Sequence, residues 1–454
     1  MSDTLTPSGL QSSAGLYGQC GVYQFDRNGA IFNPLDLNPY LLFDAESSMI
    51  GTLENPTLDL DPTKQESLDV ITATRAGTAT FVNLDGEIEI AQPNTVRVDN
   101  SLGYPGILVE PSATNTIRWS EDSTAYNYGA GITFESSDVL APNGQASAFK
   151  MTPNDTSSLH RGGALDTAGS WNANDVITYS VWIKTDGYDY ILNIGGFFGN
   201  EAATFDTLDG SLIGNESNVI SASSEDYGNG WFRYVVTYTF QNIITNNYVY
   251  SGIRLYKRDA SGNATNWDAT GETTGVLVYG SQFEAGNVAT SYIPTDNDAS
   301  GVTRAADDLV ISGSAFSDFY NQSEGTFYVE SVPNENTSGS FLFDLSFGDA
   351  STDRLNIFNG SGNQKVFLRT AGTTWSDNII GSRPAGGVFS RVAISYKTND
   401  VRASLDGVNM TTDPSATISS TLNKMTIGNR YQNPNYLNGR IRRLIFWPYH
   451  SDSL

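Results

Sequence analysis

A two-residue rhythm limits this chain more than any other feature. Trp231-Phe232-Arg233-Tyr234-Val235-Val236-Thr237-Tyr238 alternates as a half-buried strand does, and Tyr179-Ser180-Val181-Trp182-Ile183-Lys184 repeats the pattern. Gly228-Asn229-Gly230 supplies a turn directly ahead of the first run. Strong helical periodicity is scarce, while Gly, Ser, Thr, Asn, Asp and Tyr are plentiful. That combination suits short antiparallel strands joined by tight turns, an all-β fold.

The stretch from Gly275 to Ile311 divides the chain. Val276 to Phe283 alternates apolar and polar residues, then Gly286 and Asn287 break the pattern. Tyr292-Ile293-Pro294 begins an exit, Asp296 to Gly301 is a polar turn, and Val302 to Ile311 opens a new strand pattern. The reading is the last strand of one β-sandwich, a linker, and the first strand of a second. The 454 residues are enough for two to four domains. A sandwich of about 150 residues buries roughly 70% of its unfolded surface, so each can carry its own core.

The same stretch carries a resemblance. Gly280-Ser281-Gln282-Phe283-Glu284-Ala285-Gly286, then Ala289-Thr290-Ser291-Tyr292-Ile293-Pro294-Thr295, then Thr303-Arg304-Ala305-Ala306-Asp307 resembles a junction found in bacteriophage tail and virion proteins. Upstream, Thr74-Arg75-Ala76 with Ala79-Thr80-Phe81, and Gly106-Ile107-Leu108-Val109-Glu110 with Thr114-Asn115, match the same pattern. The resemblance implies two consecutive antiparallel β-sandwiches: a carbohydrate-binding-module-like jelly roll, then a concanavalin/laminin-G-like domain. It also implies an irregular N-terminal arm and a small β collar ahead of them.

The expected domains follow in order. Residues 1–70 form an arm in which Pro7, Pro34, Pro39, Pro56 and Pro62 interrupt every candidate element. Its many apolar groups suggest an arm ordered by a partner, and the resemblance makes it the part that docks to the virion. Residues 71–115 form the collar, where Arg97 and Glu110 are expected to pair structurally. Residues 116–298 form the jelly roll, with strands at Ala146–Met151, Val176–Lys184, Tyr190–Ile194, Trp231–Phe240, Tyr248–Tyr256 and Val276–Phe283. Residues 302–454 form the second sandwich, closed by Met425 to Arg430 and Leu437 to Trp447.

A net charge of −25 repels nucleic acid and anionic membranes. Cys20 is the single cysteine, so no intrachain disulfide forms. The N-terminus lacks a basic region followed by an apolar run, and no stretch approaches about 18 apolar residues, so neither a signal peptide nor membrane insertion is expected. Synthesis in the host cytoplasm and assembly into a virion fit these features.

His160 and His450, the two histidines, fall in different expected domains, and no G-x-S-x-G elbow is present. A glycosidase needs two carboxylates across a cleft, and the nearest run, Glu87-Ile88-Glu89, lacks a third acid and lies in the collar. No catalytic residue is assigned. Asp296, Asp298, Ser300 and Asp307 match the start and twelfth position of a calcium loop, but no helices flank them; a plain linker is the reading preferred, and Ca2+ remains compatible with this class of domain. Sugar recognition needs exposed aromatic faces beside hydrogen-bonding groups. Tyr188, Tyr190, Trp267, Trp375, Tyr431 and Tyr436 are the loop aromatics with Asp or Asn neighbours.

The resulting expectation is a non-enzymatic tail fibre or adhesin that binds host-surface polysaccharide and contacts other virion proteins of the tail, portal or capsid as a homo-oligomer. The alternatives are a capsid-decoration or collar protein, and a polysaccharide depolymerase.

Overall fold

The structure is a computed structural model. It describes residues 55–454 apart from 124, 125, 127, 155–158, 167–170, 188, 197–199, 241–248, 297–300, 336, 337, 348–351, 431–434 and 453, and before residue 55 it describes two paired strands, Gln24–Phe25 and Ile31–Phe32. The fold is all-β, with strands paired antiparallel throughout the described sheets.

The jelly-roll-like sandwich packs a six-stranded sheet on a seven-stranded one. The six-stranded sheet runs Ile132–Ser136, Phe149–Pro153, Gly275–Ala285, Val176–Asp186, Trp231–Thr239, Val219–Gly228. The other runs Tyr128–Ala130, His160–Asp166, Val249–Arg258, Tyr190–Gly196, Glu201–Asp206, Leu212–Asn215, with Ala264–Thr265 added beside Val249–Arg258. The alternation is put to work directly. Ile177, Tyr179, Val181 and Ile183 meet Tyr234, Val236 and Tyr238 in the core. Trp182 and Trp231 point the other way, into a second apolar cluster with Ile88, Tyr279 and Tyr292.

The second sandwich is assembled from both sides of the first. One sheet runs Thr373–Ser382, Asn363–Thr370, Arg354–Asn359, Phe341–Ser346, Lys424–Ile427, Asp308–Ser312, Thr72–Thr74. Its partner runs Val408–Asp413, Asp400–Leu405, Ser390–Lys397, Glu324–Pro333, Gly439–Trp447, Gly106–Val109, Val98–Asp99, and Leu58–Leu60 also pairs with Gly439–Trp447. Leu58, Leu60, Leu68, Ile107 and Val109 are buried with Phe327, Phe343 and Phe446 in one core.

This changes the expected boundaries. Residues 58–60 fall in the expected arm and 72–74, 98–99 and 106–109 in the expected collar, yet all are strands of the second sandwich. The reason is burial: Leu58, Leu60, Ile107 and Val109 lie in that core, and Ala73 and Val98 pack against it. The hairpin Ala79–Val82 and Ile88–Ala91 stands apart as its own two-stranded sheet. The first sandwich is therefore spliced into the second. Its entry strand Ala113–Asn115 and exit strand Val302–Arg304 pair with each other, Thr114 Oγ1 lying 2.8 Å from Thr303 Oγ1. The expected single strand over Val302 to Ile311 is two, Val302–Arg304 and Asp308–Ser312, split where Asp307 turns inward.

The splice is held by charge. Arg97 Nη2 lies 2.7 Å from Glu110 Oε2, the pairing expected from sequence. Arg97 also grips Asp307, and Arg75 Nη1 reaches Asp307 Oδ1 at 3.0 Å. Arg304 Nη2 is 3.5 Å from Glu110 Oε2. Ser291, on the exit from the inserted sandwich, donates its backbone N–H and its hydroxyl to Glu110, both at 2.7 Å. Asn115 ties the entry strand to the exit, donating to Ser281 O at 3.0 Å and Ile293 O at 2.9 Å. Buried charges this well paired break only at high cost, because either partner left alone is an uncompensated ion.

Candidate functional site

The outer face of the seven-stranded sheet in the inserted sandwich gathers polar groups from four strands. Strand register places Arg161 opposite Arg254, Arg254 opposite Asn193, and Asn193 opposite Thr204. Directly opposite residues share a face, so these four form one row across the sheet. The intervening residues His160, Leu255, Leu192 and Phe205 point inward, and the last three are core.

The next row on the outer face has almost no side chains: Gly163, Gly252, Gly195 and Ala202. A Cβ on Gly252 would collide with Gly162 O, and one on Gly195, whose φ is +134°, would collide with Glu201 O. The row is thus closely packed backbone, and all four of these residues are buried. On the opposite flank of the arginine row come Tyr256, Ile191 and Asp206, and Arg258 Nη2 pairs with Asp206 Oδ1 at 2.7 Å.

Arg161, Arg254 and Tyr256 are half-buried, and Asn193 is 6% exposed. Asn193 Nδ2 lies 3.4 Å from Thr204 Oγ1, while its Oδ1 is buried without a protein donor. Two guanidiniums abreast suit a carboxylate, because each offers a planar fork of donors. An amide and a hydroxyl beside them suit sugar hydroxyls, and a tyrosine ring suits a sugar's apolar face. On a chain of net charge −25 this cationic row is a local exception to the surrounding field.

The aromatics expected from sequence are scattered. Tyr188 and Tyr431 lie outside the described residues. Tyr190 is fully buried in the core and hydrogen-bonds Thr274 O at 3.0 Å through its hydroxyl, so its ring is no platform for sugar; the strand starting there turns it inward. Trp267 is half-buried, its ring 4.3 Å from His160 and 5.9 Å from Tyr190 by centroid, with Lys257 Nζ 5.4 Å above it. Trp375 is 36% exposed on the edge strand Thr373–Ser382 of the second sandwich, with Asp377 engaged by Lys365 at 3.1 Å. Tyr436 is half-buried and donates to Asp308 Oδ1 at 2.9 Å. The structure brings Tyr190 and Trp267 together, as packing, and leaves Trp375 as the exposed ring.

The calcium-loop reading is corrected at its last position. Asp307 is buried between Arg75 and Arg97, which occupy its oxygens and repel a cation. Asp296 is exposed, and Asp298 and Ser300 lie outside the described residues. Asp400, His450 and Asp452 put ligand atoms within 4.8 Å of one another. Arg402 holds Asp400 at 2.8 and 2.9 Å, so that cluster is already charge-compensated. His160 and His450 sit in different sandwiches, His160 with its ring nitrogens 2.9 Å from Gly131 O and 3.0 Å from Trp267 O.

The residues that sequence reading missed are Arg161, Asn193, Arg254 and Tyr256. One signal was available: Arg254-Leu255-Tyr256-Lys257-Arg258 places Arg, Tyr and Arg on the face opposite Leu255.

Together these features define a lectin-like β-sandwich protein with a polar row on one sheet face. The family model of the Concanavalin A-like lectin/glucanases superfamily matches residues 306–451, within the second sandwich. No curated protein matches the sequence. Among solved structures, domain 4 of AbnA, a GH43 extracellular arabinanase from Geobacillus stearothermophilus in complex with arabinotriose, is similar at 12% identity and a TM-score of 0.28, over 37% of this chain and 79% of that one. Domains LG4-5 of the mouse laminin alpha1 chain are similar at 9% identity and a TM-score of 0.22, over 78% and 91%. The tripod from the baseplate of bacteriophage Tuc2009 is similar at 12% identity and a TM-score of 0.20, over 78% and 98%. Overlaps this loose give no residue correspondence, and the site rests on its own geometry.

Proposed function

We propose that this chain is a non-enzymatic adhesin of a bacteriophage virion, of tail-fibre type, which binds an acidic host-surface polysaccharide on the inserted sandwich. The observation that carries the binding reading is the polar row Arg161, Arg254, Asn193 and Thr204 across one face of the sheet. A uronate or other carboxylate-bearing sugar lies along this row, its carboxylate on the two guanidiniums and its hydroxyls on Asn193 and Thr204. Trp375 supplies a second, weaker contact on the other sandwich. The virion assignment is supported by the resemblance of the junction residues, which include Arg75, Glu110, Asn115, Ser291, Arg304 and Asp307. Residues before 55 serve as the docking segment for other virion proteins. Homo-oligomeric display of several copies on one particle raises a weak single-site affinity by avidity.

The test is a glycan array probed with the full chain, alongside antibody labelling of intact particles. Binding confined to acidic glycans, with label at the tail, is the expected result. Failure to retain any acidic glycan, or release of reducing sugar ends from one, overturns the binding reading.

A further inference from the structure

A second recess lies on the opposite side of the inserted sandwich, where its six-stranded sheet faces the hairpin and the second sandwich. It is a cleft of about 280 Å³, small beside the usual small-molecule pocket, with Trp182, Arg233, Tyr227, Ser223, Asn287 and Arg440 among its walls. Three separate parts of the fold contribute: the sheet, the exit segment, and the strand Gly439–Trp447 of the second sandwich.

Two features of this cleft lack a protein explanation. The first is the Trp182 indole N–H, which is buried and meets no acceptor among the described residues although Trp182 is only 1% exposed. Its direction follows from its neighbours. Gly280, at φ +65°, leaves room for the ring, since a Cβ there would come within 2.9 Å of Trp182 Cε3 and 3.1 Å of Cζ3. That edge of the indole therefore faces Gly280, and the N–H leaves from the opposite edge, away from that strand. Arg233 lies on that side, its Cζ 4.5 Å from the indole centroid.

The second feature is Arg233 itself. It is 6% exposed and donates to Ser180 Oγ at 3.2 Å and Thr290 O at 2.8 Å, and its Nε has no partner. Among the described residues no carboxylate forms an ion pair with it. The other cation on the wall is different: Arg440 is spent on Asp99 at 2.7 Å, Asn334 at 2.7 Å and Ser101 at 2.6 Å. A buried guanidinium stacked on an indole gains something from the ring, and the buried Glu284 carboxyl acts on it electrostatically without forming a direct ion pair. A buried N–H donor with a guanidinium over its ring and no direct ion pair calls for an acceptor, which a ligand carboxylate supplies. The remaining wall includes the Glu225 carboxylate, register partner of Arg233, with Ser223, Asn287 and the Tyr227 ring, and asks for hydroxyls and one apolar face.

We propose that this interdomain cleft is a binding site for a compact hydroxylated carboxylate of the uronic-acid class, with the carboxylate on Arg233 and the Trp182 N–H. It uses none of the residues of the sheet-face site and does not depend on that reading. Because the cleft is walled by both sandwiches, its ligand also fastens one to the other.

The probe is D-glucuronate, titrated by calorimetry into the full chain carrying Arg161→Ala and Arg254→Ala, so that the other face cannot answer. Saturable binding is expected, with a raised melting temperature, and D-glucose at the same concentration should bind at least 10-fold more weakly. Trp182→Phe keeps most of the ring and removes the donor, and should weaken glucuronate about 10-fold. Ser223→Trp, at an exposed position on the wall, should abolish binding while leaving the unliganded melting temperature unchanged. Absence of saturable binding, equal affinity for glucose, or binding unaltered in both wall variants overturns the proposal.

Discussion

Arg75 and Asp307 meet at 3.0 Å across 232 positions of sequence, with the whole inserted sandwich between them. Their side chains are 1% and 2% exposed. Asp307 answers a second guanidinium too, Arg97, and accepts the backbone N–H of Glu110 at 3.0 Å. Removing this carboxylate takes the ion-pair partner from buried Arg75 and leaves Arg97 with Glu110 alone. Asp307→Ala should cost about 3–5 kcal/mol of stability, read as a lowered midpoint in urea unfolding. A cost under about 1 kcal/mol would mean that water already screens the junction.

Acid should loosen the same junction through Glu110. Burial alone raises this carboxyl, but Arg304, Arg97 and the two hydrogen bonds from Ser291 outweigh it and hold the group well below its usual range. A carboxyl held low in the folded state gives stability that is complete above its unfolded value, near 4.5, and is lost as pH falls from there towards the folded value. Glu284 works in the opposite sense, since burial raises its carboxyl. Comparing wild type with Glu110→Gln isolates the first effect. The variant should be less stable by about 3–5 kcal/mol at pH 7, and the gap should narrow steadily below about pH 4. A gap independent of pH would assign the loss to packing.

The sheet-face site predicts a charge-dependent loss. Arg254→Ala or Arg161→Ala should each weaken an acidic glycan by about 10- to 100-fold, the range for losing a hydrogen bond to a charged group. Both residues are half-buried on an outer face, so melting temperature should change little. Raising salt from about 50 to about 500 mM should weaken wild-type binding and leave the double variant unaffected. Salt-independent binding would point to a neutral sugar held by Asn193 and Tyr256 instead.

What could be read from sequence depended on whether a residue's partner was near it and whether its face was buried. Val176–Asp186, Trp231–Thr239 and Gly275–Ala285 were plain because they lie centrally and alternate between two covered faces. Leu212–Asn215 and Val219–Gly228 were missed, being largely exposed strands towards the sheet margins whose Ser and Asn residues read as loop. The Arg97 and Glu110 pair stood out as charges inside apolar runs. Asp307 did not, because its two arginines lie more than 200 positions away and its local spacing mimics a calcium loop. The sheet-face site was hidden for a related reason. Arg161, Asn193 and Arg254 come from three strands, and an outward polar residue looks the same in sequence whether it faces solvent or a ligand.

The nesting of the two sandwiches makes the last prediction. Asp59 and Arg443 are 384 positions apart, yet Arg443 bonds both Asp59 oxygens at 2.5 Å beside the strand pair Leu58–Leu60 and Gly439–Trp447. A fragment of residues 302–454 lacks that strand and the strands Thr72–Thr74, Val98–Asp99 and Gly106–Val109. It therefore uncovers Leu309, Ile441, Leu444 and Phe446, which are buried in the intact core. Such a fragment should be aggregation-prone and show no cooperative melt. The converse variant keeps residues 55–115 and 301–454 and joins Asn115 to Gly301 through a short glycine-containing turn. Asn115 and Val302 are already register partners, so the chain needs only a hairpin where 186 residues stood between them. It should fold and melt cooperatively, weakened by the loss of the two Ser291 hydrogen bonds to Glu110. Circular dichroism with a urea melt on both proteins decides the matter. A cooperative 302–454 fragment, or an unfolded excision variant, would mean that the sandwiches stand side by side and that the strands from the N-terminal side only decorate the second.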